Sequence, residues 1–144
     1  MNNQNYKKSF TSNVAPKVAF ENILKVNDWW TSSFKGSARN VNDEFNVTFG
    51  KTTVDFKVIK SVPYKKLVWQ VTDCYLDWLK NKTEWKGTSI VWNISDKNNI
   101  TKIEMTHVGL VPGIECYKDC ESGWNQFVGE SLQSLITNGK GILN

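Results

Sequence analysis

"GWNQFVGESLQSLITNG", residues 123–139, decides the fold. Trp124, Phe127, Val128, Leu132, Leu135 and Ile136 fall at i, i+3, i+4, i+8, i+11 and i+12, the stripe of an amphipathic helix. The helix is expected to run from about Tyr117 to Asn138. Gly139 stands where a left-handed C-cap belongs. Gly123 and Gly129 are harder to place, because each glycine inside a helix costs about 1 kcal/mol relative to alanine. They are six residues apart and do not share a face, so each needs its own explanation. Gly123 would let the helix start approach the sheet or bend; Gly129 would admit a strand closely or simply be tolerated.

The residues before this helix alternate with period two. In "EFNVTFG" (44–50) Phe45, Val47 and Phe49 share a face. In "TTVDFKVIKSV" (52–62) Val54, Phe56 and Val58 do so, and in "KLVWQVTDCY" (66–75) Leu67, Trp69 and Val71. "GTSIVWNIS" (87–95) presents Ile90, Trp92 and Ile94; "ITKIEMTHVG" (100–109) presents Ile103, Met105 and His107. "DKNN" (96–99) is a hairpin turn between the last two. Upstream, "YKKSFTSNV" (6–14) reads as a first strand and "FKGSAR" (34–39) as a short one. Pro16 opens a helix in which Val18, Phe20, Ile23 and Leu24 form the apolar side, with Ala15 supplying no side-chain cap. A second short helix begins at Asn27 or Asp28. "LDWLKNKTEW" (76–85) is a longer, polar connection with two tryptophans.

One-sided strands must bury their apolar face, and one long helix is available to cover it. The expected class is therefore α+β: a strongly curved antiparallel sheet wrapped around the C-terminal helix, with two short helices after the first strand. Such a wrap leaves space between sheet and helix.

Composition narrows the function. The chain has 144 residues, 40% hydrophobic and 22% charged, as suits one globular domain. Residues 1–144 read as a single domain, with residues 1–5 disordered. Seven Trp, seven Phe and four Tyr can fill a thick core or line a cavity. The net charge of +4 comes from scattered lysines, and Arg39 is the sole arginine. Nucleic-acid readers concentrate charge and use arginine forks, so no nucleic-acid partner is expected. No apolar run of about 18 residues exists, so no membrane span is expected. "MNNQNYKKSF" lacks the apolar centre of a signal peptide, which points to the cytoplasm. Cys74, Cys116 and Cys120 lack tight CxxC spacing and read as free thiols rather than metal ligands. No phosphate-binding glycine loop occurs, and no cofactor is expected.

The Pro16 helix start, Trp29–Trp30, "THVGL" (106–110), Gly123–Trp124 and the Leu132, Leu135, Gly139 series resemble the START-like or helix-grip superfamily, also called SRPBCC. Within it the chain is similar to the group related to the C-terminal domain of the heat-shock protein 90 ATPase activator. The resemblance covers about residues 6–140. It implies a seven-stranded antiparallel sheet around a C-terminal helix with a cavity between them. Members include lipid carriers, hormone receptors, polyketide cyclases and chaperone co-factors, so fold alone does not select a function. The segment 76–85 is longer and more aromatic than the group leads one to expect.

His107 is the only histidine, and alternation places it facing the helix. It would give a ligand a polar contact, or sit half-buried in a structural hydrogen bond. No partner that would orient it for catalysis is legible, so an enzyme is the less favoured class. Trp69, Trp92, Phe56 and Trp124 each read singly as core. Together, opposite a glycine-containing helix, they read as a pocket wall. The expected cavity-lining set is His107, Trp124, Phe127, Trp69, Trp92, Phe56, Met105 and Trp30, with Tyr117 and Trp29 near a mouth. The expected function is binding of a small hydrophobic or amphipathic molecule, a lipid among them. The alternatives are a chaperone co-factor acting through its surface and, third, a cyclase- or hydrolase-type enzyme.

Overall fold

The computed structural model describes residues 5–142. Seven strands form one antiparallel sheet: β1 (Tyr6–Ser12), β2 (Phe34–Gly36), β3 (Glu44–Phe49), β4 (Thr52–Val62), β5 (Lys66–Tyr75), β6 (Ser89–Lys97) and β7 (Ile100–Val108). Their order across the sheet is β1-β7-β6-β5-β4-β3-β2. Helices α1 (Pro16–Ile23) and α2 (Val26–Trp29) follow β1. The chain ends in α3 (Tyr117–Gln126), a π-helical segment (Phe127–Leu132) and α4 (Gln133–Asn138). The backbone stays right-handed helical through both junctions, so these three make one long helix.

The sequence periodicity decides which face is inward. Val54, Phe56, Val58, Leu67, Trp69, Val71, Ile90, Trp92, Ile94, Ile103 and Met105 are all buried. They meet Trp124, Val128, Leu132, Leu135 and Ile136 from the long helix. Register reinforces the packing: Phe45 lies opposite Phe56, Leu67 opposite Trp92, and Ile90 opposite His107. Burying each such side chain contributes about 1.5–3 kcal/mol.

The curvature has a local cause. The β4–β5 register shifts between Asp55 and Phe56 and again between Val58 and Lys60. An extra residue in one strand bends it and tightens its twist. Thr72 and Asp73 are consecutively exposed in β5, as are Ile59 and Lys60 in β4, which interrupts the alternation at the bulges. The bent sheet can then close around a helix.

The helices mostly match expectation. Ala15 precedes α1 without a side-chain cap, Pro16 occupies its first turn, and Gly139 has φ 79° in the left-handed region. Val18 is a correction. It is 42% exposed, and Ala19, Phe20, Asn22 and Ile23 form the buried side. The Asn22 amide is buried because its Nδ2–H donates to the Val18 carbonyl at 2.9 Å. The second helix begins at Val26, slightly earlier than expected. The expectation for residues 1–4 lies outside the described residues. Asn5 is held in place, its Oδ1 accepting the Gly109 N–H at 3.0 Å.

The π-helical segment sits where the helix is tied on two sides. The Gln133 N–H reaches back to the Val128 carbonyl. Ser131 Oγ–H donates to the Trp29 carbonyl at 2.6 Å and accepts the Ile142 N–H at 2.8 Å. A Cβ built on Gly129 would lie 2.8 Å from Cε of Lys8, near the movable end of a side chain that comes from β1. No helix among the described residues is long and apolar enough to cross a membrane.

Candidate functional site

The connection between β5 and β6, residues 76–88, folds back over one end of the sheet and docks on the start of α3. Two carboxylates fasten it reciprocally. Glu84 accepts the N–H groups of Glu115 and Cys116, at 2.9 and 3.0 Å. Glu115 accepts those of Lys80 and Asn81, at 2.8 and 3.0 Å. Charge-assisted bonds of this kind are about twice as strong as neutral ones. The Lys80 and Asn81 amides hold the Glu115 carboxyl below the usual carboxylate range. Lys82 turns inward on its own loop, donating to the carbonyls of Asp77 and Leu79 at 2.6 and 2.9 Å. Asp77 N–H donates to Thr52 Oγ1 at 3.1 Å, which anchors the loop to β4.

Beneath this loop lies a cleft of about 320 Å³, open on one side, between the sheet, the loop and α3. Its wall is mostly aromatic. Phe49, Phe127, Trp30, Trp124 and Trp85 run in continuous ring contact around it, with centroid separations of 5.7, 6.2, 5.0 and 5.9 Å. Val54, Leu76, Cys120 and Gly123 complete the apolar lining. Thr52 and Asp119 are its polar residues. Trp78 stands at the rim, 49% exposed, and its Nε1–H donates to Asp119 Oδ2 at 3.2 Å across the opening. A Cβ on Gly123 would meet only Phe127, at 3.9 Å, so this glycine leaves the cleft wider than alanine would. A larger depression, about 940 Å³, follows the end of α4 from Asp28 to Ile142, and no aromatic side chain lines it.

Of the residues expected to line a cavity, Trp124, Phe127 and Trp30 do. Phe56, Trp69, Trp92, Met105 and His107 do not border this cleft. All five are fully buried in the packed centre of the sheet. Trp29 is also fully buried, stacked on Trp30 and edge-on to Trp92, and Tyr117 does not line the cleft. Period-two alternation identifies an inward face but not which part of it meets helix and which meets open space. Trp78, Trp85 and Asp119 border the cleft and are not in the expected set. The available signal was two tryptophans in an otherwise polar connection, where core packing by periodicity has no claim on them.

His107 sits directly behind the cleft wall. Trp124 Nε1–H, which can only donate, points to His107 Nδ1 at 3.1 Å. Nδ1 is therefore the acceptor, and Nε2 carries the proton. Nε2 lies 2.9 Å from Thr88 Oγ1, whose own hydrogen goes to the Trp85 carbonyl at 2.6 Å. The chain Trp124–His107–Thr88–Trp85 thus uses every ring nitrogen of the histidine. Burial pushes its pKa down to about 3, so the ring is neutral at physiological pH. The imidazole fixes the two tryptophans that stack at 10° on the cleft wall.

The cysteines are free and buried. Trp85 Nε1–H points at Cys116 Sγ at 3.3 Å. The hydrogen bond with Cys116, together with burial, pushes the Cys120 thiol above the usual range, so it is neutral. Among the described residues no group of three histidine, cysteine, aspartate or glutamate side chains is placed to hold a metal.

No protein-family model matches the chain, and no curated protein matches it. Solved structures do. The Aha1 dimer from Colwellia psychrerythraea is similar at 24% identity and TM-score 0.78, over 95% of this chain and 98% of that one. Protein MLL2253 from Mesorhizobium loti matches at 14% identity and TM-score 0.69, over 95% and 100%. DynU16, from the dynemicin biosynthetic locus, matches at 16% identity and TM-score 0.67, over 94% of this chain and 48% of that one. The fold is the helix-grip fold. Within the helix-grip frame, the cleft occupies the end of the grip where the long helix begins, roofed by residues 76–88.

Proposed function

We propose that the chain binds a small, ring-bearing apolar molecule in the cleft between the start of the long helix, the sheet and the 76–88 connection. The observation that carries this reading is an aromatic wall around open space. Phe49, Phe127, Trp30, Trp124 and Trp85 touch one another as core aromatics do, but they also border a volume of about 320 Å³. That volume is at the small end for ligand sites. It equals about ten waters at ~30 Å³ each. A body of one or two fused rings is of the scale that this volume holds. Binding would be driven by apolar burial at about 25 cal/mol per Å².

The test is a titration with naphthalene-sized compounds, followed by tryptophan emission and melting temperature. A saturable shift is expected, and Gly123→Phe, whose ring would occupy the cleft, should abolish it. The absence of any shift in the natural protein would overturn the reading.

The likeness to the Aha1 structure, the highest TM-score of the three, supports a second reading: a chaperone co-factor acting through the outer surface. Pull-down with heat-shock protein 90 and stimulation of its ATPase test this reading. Failure of both removes it without touching the first.

A further inference from the structure

We propose that the cleft selects small ring-bearing organic cations, with a protonated amine or quaternary ammonium on a flat apolar body, over the corresponding anions. This rests on the cleft being the binding site.

Three features of the cleft point the same way. Ring faces attract cations through the aromatic quadrupole, most strongly for tryptophan. The cleft is bordered by Trp30, Trp78, Trp85 and Trp124. Among the described residues, Asp119 is the one acidic side chain on its border and no lysine or arginine borders it, although the chain carries 18. Lys82, on the same loop, is committed to backbone carbonyls and lies over the Tyr75 ring at 5.4 Å. An anionic end placed at this border would therefore meet Asp119 as a like charge, with no cationic side chain beside it to offset the repulsion.

Asp119 is suited to receive the cation. Its Oδ2 accepts the Trp78 indole N–H at the opening. A carboxylate has about four lone-pair sites, so an ammonium donor can be added without displacing Trp78. The ring body would lie inside against Trp124 and Trp85, and its charged end at the Trp78–Asp119 rim. The whole chain is net +4 and would favour anions at long range. A preference for cations must therefore come from the cleft itself.

Three ligands of one shape separate the possibilities: 2-naphthylmethylamine, 2-naphthylmethanol and 2-naphthoate, titrated by calorimetry and by indole N–H chemical shifts. The amine is expected to bind most tightly, roughly tenfold or more above the carboxylate. Asp119→Asn should lower the amine-to-alcohol ratio severalfold, and what preference remains is the share of the ring faces. Gly123→Leu should abolish binding of all three. Equal affinities, or a tighter carboxylate, would overturn the charge selection and leave the cleft as a neutral apolar site. Amine binding that survives Gly123→Leu places the cation elsewhere and overturns the proposal. If none of the three binds the natural protein, this proposal and the proposed function fall together.

Discussion

His107 shows how a sole histidine in a ligand-binding fold can serve structure. Its partners are an indole N–H and a hydroxyl, both satisfied only by the neutral ring with the proton on Nε2. The sign of the pH effect follows. The folded pKa, about 3, lies below the ordinary value of about 6.5. The unfolded chain therefore binds more protons between these two values, and acid favours unfolding there. The contribution is complete above about pH 6.5 and is lost as pH falls toward 3, at up to about 1.4 kcal/mol per pH unit. Urea unfolding at pH 7.5, 6 and 5 should show this decline. His107→Gln should be less stable at pH 7.5 and flatter between pH 6.5 and 5. Equal slopes for the two proteins would remove His107 as the source. The glycines divide as their spacing required. Gly129 lies against the end of the Lys8 side chain from strand β1, and Gly123 borders the cleft near the start of the helix.

The β5–β6 connection is the element whose role was least visible in the sequence. Its composition is polar, so periodicity assigns it no face, yet it supplies Leu76, Trp78 and Trp85 to the cleft. The strands and the long helix were legible because burial imposes a repeat on them. The connection is fixed instead by Glu84 and Glu115 meeting backbone amides, and a carboxylate bound to N–H groups leaves no periodic trace. Exchange of the Lys80, Asn81, Glu115 and Cys116 amides reports directly on this clasp. Glu84→Gln and Glu115→Gln should each raise exchange at the amides that the replaced carboxylate accepts, with little change in the strands. Since the Glu115 carboxyl is held low, its clasp is intact at and above the usual carboxylate range and loosens only as pH falls below that range, through the lowered folded value. Protection at Lys80 and Asn81 that is unchanged in Glu115→Gln would mean that the loop is held by packing alone.

Taken whole, the helix grip has a packed part and an open part, and the sheet's bulges decide where one becomes the other. Phe56, Trp69, Trp92 and Met105 were placed inward correctly, but inward means helix-facing over most of the sheet. Trp92 is fully buried and touches Trp29 and Trp69 edge-on at 5.7 and 5.5 Å. The cleft appears only where the 76–88 connection, β4 and α3 diverge. That arrangement depends on register shifts and a loop path, neither of which a single sequence displays. The two parts should separate stability from binding. Trp92→Ala leaves a cavity in the packed part and should cost about 3–5 kcal/mol. Trp78→Ala removes a side chain that is 49% exposed, so its stability cost should be well under that of Trp92→Ala. It strips the rim, however, and should weaken ring-compound binding severalfold at nearly unchanged melting temperature. Denaturant unfolding and ligand titration on the same two variants test the division. If Trp78→Ala binds as well as the natural protein, the Trp78 ring makes no contact with the ligand, and the bound molecule lies against the inner wall around Trp124 and Trp85.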